Sequence, residues 1–201
     1  MKRSLFIASS FALFFCLVLI QFNCSQNPEQ KTITKEEHIA RGKYLVNLGG
    51  CNDCHSPKIM TAMGPMPDTT KLLSGHPADT PLGEIDPAMY KKGQWVLVDA
   101  KDFTSWVGPW GVSYTANLTP DEATGLGNWT PELFIKAIRS GKHMGIGRPI
   151  LPPMPWVFMA KLKDGDLKDI FAYLQSIPAI NNRIPDPIPP DQMASLFKKK
   201  K

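Results

Sequence analysis

The sequence predicts an all-α domain with long connections. Three segments repeat apolar residues at helical spacing, each is bracketed by start and stop residues, and strand-like alternation is confined to residues 94–98. The first helix is predicted from Thr34 to about Leu48. Thr34-Lys35-Glu36-Glu37 has capping-box order, Ala40, Tyr44, Leu45 and Leu48 give one apolar face, and Gly49-Gly50 stops it. The second is signalled by Thr130 as cap and Pro131 in the first turn. It carries Leu133, Phe134, Ala137 and Ile138 and stops at Gly141. The third starts at residues 164–166 and runs to about Ile177, with Leu167, Ile170, Phe171 and Leu174 on one face and Pro178 beyond its end. Residues 56–128 hold many Pro and Gly residues and no long helical pattern, so they are read as irregular chain.

The first helix delivers the chain into Cys51-Asn52-Asp53-Cys54-His55. Two cysteines separated by two residues and followed at once by histidine form a covalent haem attachment site. Each thiol adds across a haem vinyl group, and the adjacent histidine is left facing the iron as proximal ligand. A zinc half-site and a dithiol redox pair are the competing readings. A four-ligand zinc site wants a second Cys or His pair at comparable spacing, whereas Cys16 and Cys24 both sit near the N-terminal apolar run. A thioredoxin-like dithiol belongs in a βαβ pattern, which the flanking sequence lacks. Haem also explains residues 56–128 as chain that packs on the porphyrin face and edge. Trp95, Trp106, Trp110 and Tyr114 suit that packing, and they equally suit the anchoring of ordinary loops.

At 201 residues, with 43% hydrophobic and 20% charged, the chain can hold one well-buried domain plus extra segments. Its formal charge of +5 includes Lys2, Arg3 and the four lysines of residues 198–201, and without those six the body stands at −1. A near-neutral body is no nucleic-acid footprint, so no nucleic-acid partner is expected. Residues 1–23 read as an export signal, with Lys2 and Arg3 as the positive n-region and an uncharged apolar run over residues 5–20. Cys24 follows that run and opens a polar tether over residues 24–33, an arrangement similar to a bacterial lipoprotein signal whose cysteine is acylated. Acylation of Cys24, ordinary cleavage and retention as an anchor all place the domain of residues 34–180 in the periplasm or cell envelope. Residues 181–201 are read as a Pro-rich and Lys-rich tail.

The sixth iron ligand is sought among nine methionines and three further histidines. Met154 stands out in Pro149-Ile150-Leu151-Pro152-Pro153-Met154-Pro155-Trp156, because proline on both sides restricts the chain to an extended course that can present a thioether to a metal. Met144, His143 and His76 are the competitors; Met63 and Met66 lie close to the attachment motif, and Met159 is expected to pack. The Nδ1–H of His55 is expected on a backbone carbonyl, with Pro65 the candidate by position.

Several ordered motifs resemble class I c-type cytochromes, specifically the cytochrome c domains of membrane-bound alcohol and gluconate dehydrogenase subunits, over about residues 36–180. They are Ala40-Arg41-Gly42-Lys43-Tyr44-Leu45-Val46 leading into Cys51, Asn117-Leu118-Thr119-Pro120-Asp121 followed by Gly125-Leu126-Gly127-Asn128-Trp129-Thr130, Met154-Pro155-Trp156, and the stretch from Asp166-Leu167 to Tyr173-Leu174. The resemblance implies a haem-centred cytochrome c fold with an insertion around residues 71–110. It implies one covalently attached haem c where such subunits often carry three, with Arg41, Asn117 and Thr119 as propionate contacts. Iron closed by His55 and Met154 implies an electron carrier, not an enzyme, served by redox partners such as a dehydrogenase, an oxidase or another cytochrome. The alternative is a haem enzyme or sensor, peroxidase-like or gas-binding, with a labile sixth ligand; a non-haem lipoprotein with a metal or dithiol site is a third reading.

Overall fold

The computed structural model describes residues 32–85, 90 and 93–196, and the compact unit begins at Lys35. The export segment, Cys24 and most of the tether lie outside the described residues. The domain is mixed α/β, which corrects the all-α expectation. Five α-helices stand among the described residues: α1 (Lys35–Leu48), α2 (Cys51–His55), α3 (Pro131–Ser140), α4 (Trp156–Met159) and α5 (Asp164–Leu174). Two antiparallel sheets lie within the stretch expected to be irregular. One is the hairpin of β1 (Lys58–Thr61) and β2 (Gly64–Pro67); the other has the order β3 (Leu97–Val98), β4 (Ser105–Gly108), β5 (Gly111–Tyr114).

The three long helices lie where their caps place them. Thr130 Oγ1 accepts from Leu133 N at 3.2 Å to open α3, and Gly141, at φ +63°, closes it. Helix α5 ends at Leu174, three residues before the expected stop, and buries Leu167, Ile170, Phe171 and Leu174 as its pattern requires. Helix α1 has the expected extent but a different buried face. Gly42 and Val46 are buried, whereas Tyr44 and Leu48 are 56% and 70% exposed.

Gly42 is the reason for that rotation. A Cβ there would stand 1.9 Å from Asp169 O and 2.8 Å from Tyr173 Cβ, so α1 and α5 cross with backbone against backbone. The ion pairs His38–Asp169 and Arg41–Asp166 flank the crossing. Val46, Phe134, Ile138, Leu167, Ile170, Phe171 and Leu174 close one core cluster around it.

A second cluster, Val107, Val112 and Met193, sits on one face of the larger sheet. The chain after residue 181 docks there, since Val112 N donates to Ile188 O at 2.8 Å and Ile188 N returns a bond to Val112 O at 3.0 Å. Gly111, at φ +95°, turns the β4–β5 hairpin, and a Cβ on it would meet Ile188 O at 2.0 Å.

Candidate haem-attachment site

The five residues of the attachment motif form one short helix, α2, not a loop. Gly50 enters it in the left-handed region at φ +61°, and at its end Gly75 N donates to His55 O at 2.8 Å. Lys58 Nζ donates to the carbonyls of Asn52 (3.0 Å), Asp53 (2.9 Å) and Ser56 (2.6 Å) at the helix C-terminus, where Asn52 O also accepts from Ser56 N at 3.3 Å. Ser56 Oγ donates to Asn52 Oδ1 at 2.8 Å and accepts from Leu73 N at 2.8 Å, which ties the turn to the chain that follows β2.

His55 is buried, and its Nδ1 lies 2.8 Å from Ala116 O. A carbonyl can only accept, so the proton is on Nδ1 and the Nε2 lone pair is left for a metal. The carbonyl is that of Ala116 and not that of Pro65, which instead lies in β2 paired opposite Met60. Burial holds the His55 imidazole below its ordinary pKa despite the opposing bond to Ala116, so the ring is neutral, as a metal ligand must be. Burial also pushes the Cys51 thiol up to about 11 and raises that of Cys54. A redox dithiol needs a lowered thiol pKa, so these two cysteines have the wrong electrostatics for one. No group of three or more His, Cys, Asp or Glu is arranged to hold a metal ion among the described residues. Two thiols and a neutral, oriented imidazole on one turn fit a haem bound through two thioethers and one axial nitrogen.

Met154 is half-buried on the segment between α3 and α4. That segment is held at several points: Ile150 N donates to Gly141 O (2.8 Å), Met154 N to Leu151 O (3.3 Å), and Ser113 Oγ to Pro152 O (2.6 Å). Arg139 reinforces the far side through Leu162 O (2.7 Å), Asp164 Oδ1 (2.5 Å) and Ala160 O.

The competing ligands differ in burial and in partners. His76 is fully buried with Nδ1 on Thr104 Oγ1 (2.8 Å) and Nε2 on Thr80 O (3.0 Å), so neither nitrogen is available. His143 rests edge-on against Trp129, and Met144, Met63 and Met66 are exposed. Met159 packs against the first core cluster.

The three residues implied as propionate contacts each bond to protein groups, Arg41 through Nη2 alone. Asn117 Oδ1 accepts from Thr119 N (3.0 Å) and Thr119 Oγ1 (2.7 Å), while its Nδ2 donates to Ile180 O (2.8 Å) and Thr124 Oγ1 (3.1 Å). Thr119 Oγ1 also accepts from Ile180 N at 3.1 Å. Arg41 pairs with Asp166 at 3.1 Å and lies over the Tyr44 ring. Ala116, Ser113 and Lys58 were not foreseen, and for Ala116 no sequence signal exists, because a backbone carbonyl leaves none.

No protein-family model matches the chain. Three curated relatives are the gluconate 2-dehydrogenase cytochrome c subunit of Pantoea cypripedii, 30% identical over 67% of this chain and 22% of the relative, the quinone-type alcohol dehydrogenase cytochrome c subunit of Gluconobacter oxydans, 29% identical over 75% and 24%, and the fructose dehydrogenase cytochrome subunit of Gluconobacter japonicus, 26% identical over 84% and 27%. The chain spans about a quarter of the length of these relatives. It carries a cytochrome c domain resembling theirs.

Proposed function

We propose that this chain is a monohaem c-type cytochrome that relays single electrons outside the cytoplasmic membrane. Cys51 and Cys54 hold the haem through thioether bonds, and His55 and Met154 ligate its iron. The observation that carries the reading is the His55 ring, which keeps its Nε2 lone pair because Nδ1–H is held on Ala116 O, on the same helical turn as both cysteines. When bound, haem c supplies one-electron exchange between ferric and ferrous iron.

The protein's own residues do the rest. Ala116 O fixes the plane of the imidazole and raises its basicity as a ligand. Burial of His55 excludes water and disfavours added positive charge, and the Met154 thioether favours the ferrous state; both raise the potential. The anchors at Gly141 and Ser113 hold the Met154 segment in place, so a change of oxidation state costs little reorganisation. With His55 and Met154 holding the iron, no site would be left open for oxygen or peroxide, and the chain would act as a carrier, not an enzyme.

The relatives named above are dehydrogenase subunits, which favours a dehydrogenase as one redox partner, met through the small, weak interface usual for electron transfer. Residues 1–23 export the chain, and acylated Cys24 or an uncleaved N-terminus tethers it to the membrane.

The test is expression in a host that attaches haem c. A mass gain of one haem per chain, low-spin spectra with the far-red methionine–iron band, and insensitivity to carbon monoxide are expected. High-spin iron that binds carbon monoxide rapidly would replace the carrier with a gas-binding or peroxidase-like protein. Met154→Ala should abolish the far-red band, and its survival would remove Met154 from the ligand set. Incorporation of labelled fatty acid that Cys24→Ser prevents would establish the lipid tether.

A further inference from the structure

The chain after α5, expected to be a tail from residue 181, returns to the turn at residues 74–76 and is tied to it by Asn182. Asn182 Nδ2 donates to Ser74 O and to His76 O, both at 2.8 Å, while Oδ1 accepts from Ala78 N at 2.9 Å. Its backbone N donates to Thr124 Oγ1 at 2.9 Å, so each of its protons and its amide oxygen are engaged. Ser74 and His76 are buried, and among the described residues neither carbonyl accepts any other hydrogen bond.

Gly75 lies between those two carbonyls, and it bears on His55 in two ways. Gly75 N donates to His55 O at 2.8 Å. Gly75 also rests against the group that orients the imidazole: a Cβ on it would stand 2.5 Å from Thr115 O, 2.6 Å from the Ala116 carbonyl carbon and 2.7 Å from Ala116 O. Its φ of +78° is in the left-handed region, so the turn and the close approach both require glycine. His76 N, donating to Thr115 O at 3.0 Å, holds the same two stretches side by side. The place of Ala116 O relative to the His55 ring therefore depends on where the turn sits, and Asn182 grips that turn on both sides of Gly75.

We propose that Asn182 is a positioning residue for His55: by holding the carbonyls of Ser74 and His76 it keeps Gly75 seated against Ala116, and so maintains the bond from His55 Nδ1–H to Ala116 O. This rests on the reading of His55 as the proximal iron ligand. The bond raises the basicity of the ligand nitrogen, and a more basic nitrogen favours ferric iron. A turn free to shift lengthens the bond, weakens the ligand and raises the reduction potential.

Two variants test the assignment in the purified haem-loaded protein. Asn182→Ala removes all three side-chain bonds, and Asn182→Asp keeps the shape but turns a carboxylate oxygen toward the two carbonyls. Both should raise the reduction potential above the parent's. Both should also make the His55 Nδ1 proton, followed by NMR, exchange with deuterium about tenfold faster, the factor that loss of one hydrogen bond carries. Met193→Ala, which opens a cavity in the second core cluster, is the control: it lowers stability and should leave both readings at the parent's values. A folded Asn182 variant with one haem per chain whose potential stays or falls, or whose Nδ1 proton exchanges as slowly as the parent's, overturns the proposal and leaves Asn182 a purely structural contact. Should neither variant fold, exchange of the Asn182 amide protons in the parent decides: protection upholds the proposal, and exchange at the rate of a free amide overturns it. A parent chain that takes up no haem would instead overturn the reading beneath.

Discussion

Replacing Gly42 by Ala pits two opposing terms against each other, and the structure decides between them. In a helix interior Ala is favoured over Gly by about 0.8–1.0 kcal/mol. Against that, the new methyl would sit 1.9 Å from Asp169 O and 2.6 Å from the carbon of the same carbonyl. Close C···O contacts begin near 3.3 Å, so α1 and α5 must separate by about 1.4 Å. A gap of ~0.5–1 Å already forfeits a quarter to a half of each dispersion contact, and Val46, Leu167, Ile170 and Phe171 meet in the cluster that this crossing holds. Overpacking of a tight core costs about 1–3 kcal/mol and occasionally more, so a net loss of up to ~2 kcal/mol remains after the helix-propensity gain. Guanidinium melts of the haem-loaded protein measure it. Gly165, in the first turn of α5, is the internal comparison: a Cβ there meets nothing within 4 Å, and Gly165→Ala should be neutral or stabilising by up to ~1 kcal/mol. Equal stability of Gly42→Ala and Gly165→Ala would refute the backbone-contact argument.

Three further outcomes are expected. Asn117→Ala leaves buried Thr119 N without its acceptor, while Ile180 O keeps the bond from Thr119 Oγ1, and should cost ~1–3 kcal/mol in a denaturant melt. Lys58→Met removes the charged donor from three carbonyls at the end of α2 and should lower stability by ~1–3 kcal/mol in the same assay, with a loss below 0.3 kcal/mol telling against the cap. Before haem is attached, the folded chain binds the Cys51 proton more tightly than the unfolded chain does. The stability from that thiol is whole below pH 9.0 and lost as pH rises to about 11, roughly 2–3 kcal/mol in all. Melts at pH 8 and pH 10.5 should show the fall in the haem-free chain, and thioether formation should remove Cys51's contribution to it.

How much of this was legible in the sequence depended on where each element's information resides. Helices α3 and α5 were readable because their start and stop signals are side chains: Thr130 caps its own helix, and the stripe from Leu167 to Leu174 is the buried face. The extent of α1 was readable too, but its buried side was not. A hydrophobicity argument looks for large residues, whereas this crossing is built on the absence of a side chain at Gly42. The attachment motif announced its chemistry through three reactive side chains, yet the group that orients His55 is a main-chain oxygen and carries no signature.

Apart from β3, which falls within the 94–98 candidate, the strands escaped notice for a different reason. Strands of two to four residues are shorter than any window in which alternation is visible, and β2 carries Pro65 and Pro67. The β4–β5 hairpin also lacks an exposed face: Val107 and Val112 pack inward on one side, while Trp106 is half-buried and Ser113 and Thr115 are buried on the other. A strand covered on both sides does not alternate. In an ordinary domain a second buried face would be apolar, but here it bears an indole N–H and two hydroxyls, with the N–H and one hydroxyl unpaired. The same hairpin that defeated the all-α expectation is tied to the candidate site through Ser113 Oγ, which donates to Pro152 O two positions before Met154.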